Sequence, residues 1–181
     1  MATLDPITQQ NALLFKEVRL RALQDAPSAF GSTYGKESQL TDDDWIQRAA
    51  QWNGEKSAAY LAIDAETPCG IIGGFIDRDD ITQAHIVSMW VSPSHRRLGI
   101  GRLLVDAVID WARTRDVCSL KVMVTSNNDP AIRFYQRLGF VQTGRTQAYP
   151  NDPALVEYEM ARSISRPGNP AEPGACPERV I

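Results

Sequence analysis

Between Ile86 and Trp111 the sequence reads as a strand, a loop and a helix in immediate succession. Ile86, Val87, Ser88, Met89, Trp90 and Val91 are apolar or small and run up against Pro93, after which Ile100, Leu104, Ala107, Val108 and Trp111 recur at helical spacing. Arg102, Asp106, Asp110 and Arg113 fall on the opposite side of that helix, which is predicted from Leu98 to about Thr114. The junction holds Gly99 and Gly101. Glycines there let backbone N–H groups approach a ligand with no Cβ in the way, and the helix beginning beside them points its positive dipole end at the same place. Such a junction favours an anion, most commonly a phosphate. Arg96, Arg97 and Arg102 concentrate positive charge at this point in a chain of net charge -3 and isoelectric point near 5.4, so the patch is local. The competing reading is an ordinary strand-to-helix turn with its arginines solvated.

The 181 residues suffice for one domain with a real core, and 43% hydrophobic and 23% charged residues are those of a soluble globular protein. The acidic balance argues against nucleic acid or an anionic membrane surface as the main partner. No apolar run approaches membrane-spanning length, and the first residues lack the pattern of a signal peptide, so a cytoplasmic location is expected. Cys69, Cys118 and Cys176 are far apart and fit free thiols in a reducing compartment. With His85 and His95 the only histidines, no metal site is expected.

Taken in order, the periodicity predicts a helix over residues 7–24 with Asp5-Pro6 as its start signal, closed by Pro27. A loop with two aromatics, Phe30 and Tyr34, follows. Thr41 and Asp44 have capping-box spacing for a helix through Trp45, Ile46, Ala49 and Ala50. The acidic triplet Asp42–Asp44 reads as dipole compensation. The period then changes: residues 59–63 and 71–76 read as a hairpin turning at Glu66-Thr67-Pro68, and 84–91 and 119–125 as further strands. Asn127-Asn128 marks a turn, with Asp129 as N-cap, Pro130 as first helical residue and Gly139 just past the last turn of a short helix. Residues 140–146 and 155–161 make a closing pair of strands. The domain is expected to span residues 1–163, leaving 164–181 as a Pro-rich disordered tail.

Arg96-x-x-Gly99-x-Gly101 after a strand, followed by Asn128-x-x-Ala131-x-x-x-Tyr135-x-x-x-Gly139-Phe140, resembles the GNAT superfamily of acyl-CoA N-acyltransferases, in particular a bacterial branch with mostly unassigned substrates. The likeness covers residues 1–162. It implies an α+β fold: a mixed, mostly antiparallel sheet of six to seven strands flanked by helices, with strands 84–91 and 119–125 parallel and splayed apart. Acetyl-CoA would lie in the splay. By the same resemblance the backbone N–H groups of Arg97, Leu98, Gly99, Ile100, Gly101 and Arg102 would hold the pyrophosphate, Met89, Trp90 and Val91 would pair with the pantetheine arm, and Arg96, Asn128 and Tyr135 would also belong to the cofactor site. Tyr135 matches the family's general acid, and its reading as one more inner-stripe aromatic gives way to that role.

Those residue types suit acyl transfer. A fixed N–H at a strand break can meet the charge developing on the acyl oxygen, and a phenol is protonated at neutral pH and can give its proton to the departing sulfur. Two departures stand out: Met123 occupies a position where relatives that acetylate protein N-termini often have glutamate, and no carboxylate lies on residues 86–91. The base is therefore unassigned: His85, a water held by Ser88 or by backbone carbonyls, or an amine that arrives already neutral would each serve, and His85 reads more naturally as structural or exposed. The resemblance also implies a first strand, here reduced to about Thr3-Leu4.

The expected activity is transfer of an acetyl group to a primary amine, tilted by Met123 toward a small molecule. A peptide N-terminus or lysine is the other acceptor, and a non-catalytic CoA-binding module is the reading from another class. Tyr34, Trp45, Ser88 and Trp90, with loop 147–153, are expected to wall the acceptor pocket, in a monomer or homodimer.

Overall fold

A computed structural model describes residues 1–164. It is built from β1 (Thr3–Pro6), α1 (Ala12–Asp25), α2 (Tyr34–Glu37), α3 (Asp42–Ala50), β2 (Ser57–Asp64), β3 (Thr67–Ile76), β4 (Gln83–Val91), α4 (Ile100–Arg113), β5 (Ser119–Thr125), α5 (Asp129–Arg137), β6 (Val141–Ala148) and β7 (Val156–Ser163). One seven-stranded sheet runs in the order β1-β2-β3-β4-β5-β7-β6. Every neighbouring pair is antiparallel except β4 with β5. The α+β fold with its central parallel pair is therefore the one expected. No helix among the described residues is long and apolar enough to cross a membrane.

Strand alternation divides the core into two layers. Ala58, Ala62, Ile72, Ala84, Ile86, Leu120, Val122 and Met160 face α4 and α5 and pack on Leu104, Val108, Trp111 and Tyr135. Ala59, Leu61, Ile71 and Trp90 face the other way, onto Phe15, Val18, Ala22 and Trp45 of α1 and α3. On this second face the helices cover the β1 to β4 side, and β5, β7 and β6 carry polar groups instead.

Several boundaries differ from the periodicity. Thr3–Pro6 is a paired strand against Tyr60–Ile63, not a helix start. The Asn11 side chain accepts from the Thr8 N–H at 2.8 Å and donates to the Pro6 carbonyl at 2.9 Å, which turns the chain and delays α1 to Ala12. The β2–β3 turn sits at Ala65 and Glu66, both left-handed (φ 46° and 67°), so Thr67 already pairs with Asp64. Tyr34 opens the single turn of α2, with the Thr33 hydroxyl accepting from the Lys36 N–H. The Thr41–Asp44 capping box forms as read. Ile164 is 6% exposed and its N–H bonds the Cys118 carbonyl at 2.8 Å, extending the packed domain one residue past 163. The predicted tail at 165–181 lies outside the described residues.

Trp45 is a correction: it is fully buried, edge-on to Phe15 at 5.1 Å between ring centroids, and walls no pocket. Its place on the inner stripe of α3 requires this, because that stripe faces Phe15, Val18 and Ala22 of α1. His85 is structural, as its sequence context implied. Its Nε2 lies 2.8 Å from Asp77 Oδ2 and its ring stacks on Phe75 at 5.0 Å, at the end of β4 where pairing with β5 is intact.

Two outcomes follow. Trp45→Ala empties a buried, close-packed site and lowers stability by about 3–5 kcal/mol in urea unfolding with an unchanged slope; a loss below about 1 kcal/mol contradicts the packing described. The His85 hydrogen bond holds the Asp77 carboxyl down at about 2. An unfolded aspartate titrates near ~3.9, so the folded chain binds fewer protons between these values. The resulting stability is complete above pH ~4 and is lost as pH falls through ~2. Asp77→Asn removes that acid-side decline from a series of urea midpoints; a series parallel to the parent's contradicts the assignment.

Candidate functional site

The parallel pairing of β4 with β5 covers only Gln83↔Ser119, Ala84↔Leu120, His85↔Lys121 and Ile86↔Val122. Both strands continue beyond it, β4 to Val91 and β5 to Thr125, without pairing to each other. The cause is local to β4. Against β3 the register moves from Gly73↔Val87 to Ile71↔Trp90, so Ser88 and Met89 together oppose Ile72 in a β-bulge. Ser88 takes the left-handed conformation (φ 58°) that such a bulge normally reserves for glycine. The bulge bends β4 away and opens the wedge expected between the two strands.

The far end of β4 passes through Ser92–Arg96 into α4. Arg97 (φ 67°) and Gly99 (φ 83°) are both left-handed, which moves the helix start from Leu98 to Ile100. The first bond of the helical ladder is Leu103 N–H to Gly99 C=O at 3.1 Å. The amides of Arg97, Leu98, Gly99, Ile100, Gly101 and Arg102 precede it, and they have no main-chain partner among the described residues. A Cβ built on Gly99 would meet nothing within 4 Å, so the space beside that residue is clear of protein. These features fit a diphosphate.

The arginines divide in an unexpected way. Arg96 turns its guanidinium onto Asp25 at the end of α1 and donates from Nε to the Val91 carbonyl at 3.0 Å. It is a strap that ties the loop to α1, and its charge is already neutralised. Arg102 stays 74% exposed and lies 3.5 Å from Asp106, one turn on. Leu98 is exposed at the loop tip.

Helix α5 closes the wedge from the β5 side. Asn128, not Asp129, is its N-cap: Oδ1 accepts from the Ala131 N–H at 3.2 Å, and Pro130 lies within the first turn. Gly139 (φ 85°) ends the helix as expected. Phe134 reaches across to α4, since a Cβ on Gly101 would lie 3.1 Å from its ring and 3.3 Å from Met89 Cε. The three stretches singled out by the sequence therefore converge at one place. Tyr135 is 4% exposed, edge-on between Phe134 and Phe140 at 5.1 and 5.3 Å. Burial pushes its hydroxyl well above the usual phenol value, and no charged side chain offsets that.

The predicted acceptor wall is only partly formed. Ser88 is in the bulge and half-buried, and Tyr34 is 40% exposed. Trp90, like Trp45, is withdrawn: it is 5% exposed, packs on α1 under Arg21, and donates from Nε1 to Asp25 at 2.8 Å, because strand alternation points it away from the wedge. Loop 147–153 is docked rather than open, with the Tyr149 hydroxyl donating to the Phe30 carbonyl at 2.7 Å and Asn151 to the same oxygen at 3.1 Å.

Four charged residues that the sequence reading did not select lie around the same place. Arg19 and Glu37 form a buried pair reaching Ser88. Glu157 and Glu159 of β7, each 9% exposed, stand in register with Thr125 and Met123 on the face away from α4. Glu157 accepts from Gln147 at 2.6 Å; Glu159 accepts from Thr143 at 2.8 Å and lies 3.7 Å from Lys121. Alternation along Glu157-Tyr158-Glu159 was the one available signal, two carboxylates on one face of a strand.

Comparison with known proteins gives a consistent result. The model of the acetyltransferase (GNAT) family matches residues 20–140. Over 78 residues the chain is 45% identical to a streptothricin acetyltransferase of Streptomyces lavendulae, covering 42% of this chain and 41% of that one. Over 98 residues it is 37% identical to the [ribosomal protein bS18]-alanine N-acetyltransferase of Salmonella typhimurium, covering 54% of this chain and 66% of the other. The matches thus span less than two thirds of either relative. An acetyltransferase structure from Salmonella typhimurium, solved with its cofactor acetyl-CoA, superposes with a TM-score of 0.75 at 18% identity over 97% of this chain and 99% of that one. The fold, the wedge and the family match together place this chain in the acetyltransferase (GNAT) family.

Proposed function

We propose that the protein transfers the acetyl group of acetyl-CoA to a primary amine of a small molecule. One observation carries the reading: the wedge beyond Ile86 and Val122 leads to six successive amides, Arg97 to Arg102, that have no main-chain partner among the described residues. When bound, acetyl-CoA supplies the activated acyl thioester. The amides at 97–102 hold its diphosphate through charge-assisted hydrogen bonds, and Gly99 leaves room for the approach. Trp90 and Val91 stay in register with Ile71 and Gly70 of β3, and the Val91 carbonyl is held by Arg96, but the β5-facing edge of Met89 to Val91 is otherwise unpaired and offers its remaining main-chain groups to the pantetheine arm. Asn128 caps α5 with its oxygen and keeps its side-chain N–H groups for the cofactor.

For the chemistry, the bulge at Ser88 and Met89 turns main-chain N–H groups toward the charge developing on the acyl oxygen. Tyr135 keeps its proton throughout the neutral range because burial disfavours the phenolate, so a hydrogen bond from Oη is available to the departing sulfur. Glu157 and Glu159 give the β7 side of the wedge a preference for a cationic amine. Glu159, in register with Met123, is the carboxylate best placed to take the amine's proton in the absence of a glutamate at 123.

The test is thiol release from acetyl-CoA against a panel of small amines, peptides with free N-termini and lysine peptides. A small amine is expected to be the best acceptor. Tyr135→Phe is expected to lower kcat by about 10²-fold while leaving CoA affinity within about twofold. CoA binding without turnover on any amine supports a non-catalytic CoA-binding module instead, and an undiminished rate in Tyr135→Phe removes the tyrosine from the acid role.

A further inference from the structure

We propose that Arg19, clamped by Glu37, is a positioning residue for acyl transfer: it holds Ser88 in the left-handed conformation that aims the bulge amides. This rests on the acyl-transfer reading above and extends it to residues of α1 and α2.

The geometry is specific. Arg19 projects from α1 and is 9% exposed; Glu37, at the end of α2, is 2% exposed. Arg19 Nε and Nη2 donate to the two Glu37 oxygens at 3.0 and 2.9 Å, a fork-to-fork pair. Arg48 Nη1 donates to Glu37 at 3.2 Å, and the Phe30 ring lies 4.7 Å from Arg19 Cζ. The guanidinium is thereby fixed along two directions in its plane and across its face. Its remaining nitrogen, Nη1, donates to the Ser88 hydroxyl at 3.2 Å. A buried ion pair contributes little net stability, since desolvation offsets most of the attraction. What it does supply is a donor that cannot wander.

Ser88 needs such a donor. A non-glycine residue at positive φ is strained, and the neighbours of Ser88 are the main-chain groups that line the opening of the wedge. If Ser88 relaxes to an ordinary strand conformation, the bulge rearranges and those N–H groups turn away. Catalysis by fixed donors is sensitive to displacements of this size.

Glycine separates this role from simple support, because it adopts positive φ unaided. The experiment is a cycle of parent, Arg19→Gln, Ser88→Gly and the double variant. Two quantities are read: kcat with acetyl-CoA and the best amine of the panel, and amide hydrogen exchange in the peptide covering residues 86–91. On the parent background Arg19→Gln is expected to lower kcat about tenfold, with the acetyl-CoA KM within about twofold, and to speed exchange in that peptide. On the Ser88→Gly background it is expected to change either quantity less than about twofold. Equal losses on both backgrounds, or unchanged exchange in 86–91 on the parent background, overturn the proposal. Should Arg19→Gln fail to fold, Arg19→Lys replaces it, keeping the charge and losing the fork, with the same signature expected. A parent chain that acetylates no amine sinks the acyl-transfer reading, and the exchange measurement then decides this one by itself.

Discussion

Two parallel strands that start side by side and then part are the constraint on which the molecule turns. Backbone N–H and C=O groups are obligatory hydrogen-bonding groups, and a sheet interrupted in its middle leaves them exposed in the interior of the fold. Here the interruption follows the fourth residue pair of β4 with β5 and is forced by one additional residue in β4 opposite β3. Everything that flanks the gap has some relation to it. The loop after β4 keeps its amides free, α5 caps itself with Asn128, and β7 restores the sheet on the far side of β5.

Helix α1 is the element that makes this opening rigid. Along one side it reaches the bulge through Arg19; at its end Asp25 accepts from Trp90 and Arg96, so the same helix fixes both the strand and the loop that follows it. Arg21 stacks on Trp90 and donates to the Pro68 carbonyl at 3.1 Å, adding a tie to β3. An arginine in a phosphate-binding sequence pattern is easily taken as a phosphate ligand. Arg96 instead uses its planar fork to join the Asp25 carboxylate and the Val91 carbonyl.

Local patterns read well where the cause was local. The α4 stripe, the Thr41–Asp44 box, the Gly139 stop and the whole of β5 were visible because periodicity and caps depend on residues within one or two turns. What escaped depends on partners far along the chain. Arg19 meets Ser88 across 69 positions, and the Tyr149 hydroxyl meets Phe30 across 119. Trp45 and Trp90 look like pocket aromatics by composition, yet helix packing and strand alternation turn both into the core. The bulge left no mark either, since Ser88 occupies a backbone conformation that a sequence flags only with glycine.

The central claim, that a diphosphate is held by the amides of residues 97–102, is tested most directly by following backbone amide resonances during titration with coenzyme A. The account predicts saturable shifts that are largest from Arg97 to Arg102, with a second group at Met89 to Val91. Saturable binding that leaves residues 97–102 unperturbed, or no shift at millimolar ligand, would contradict it.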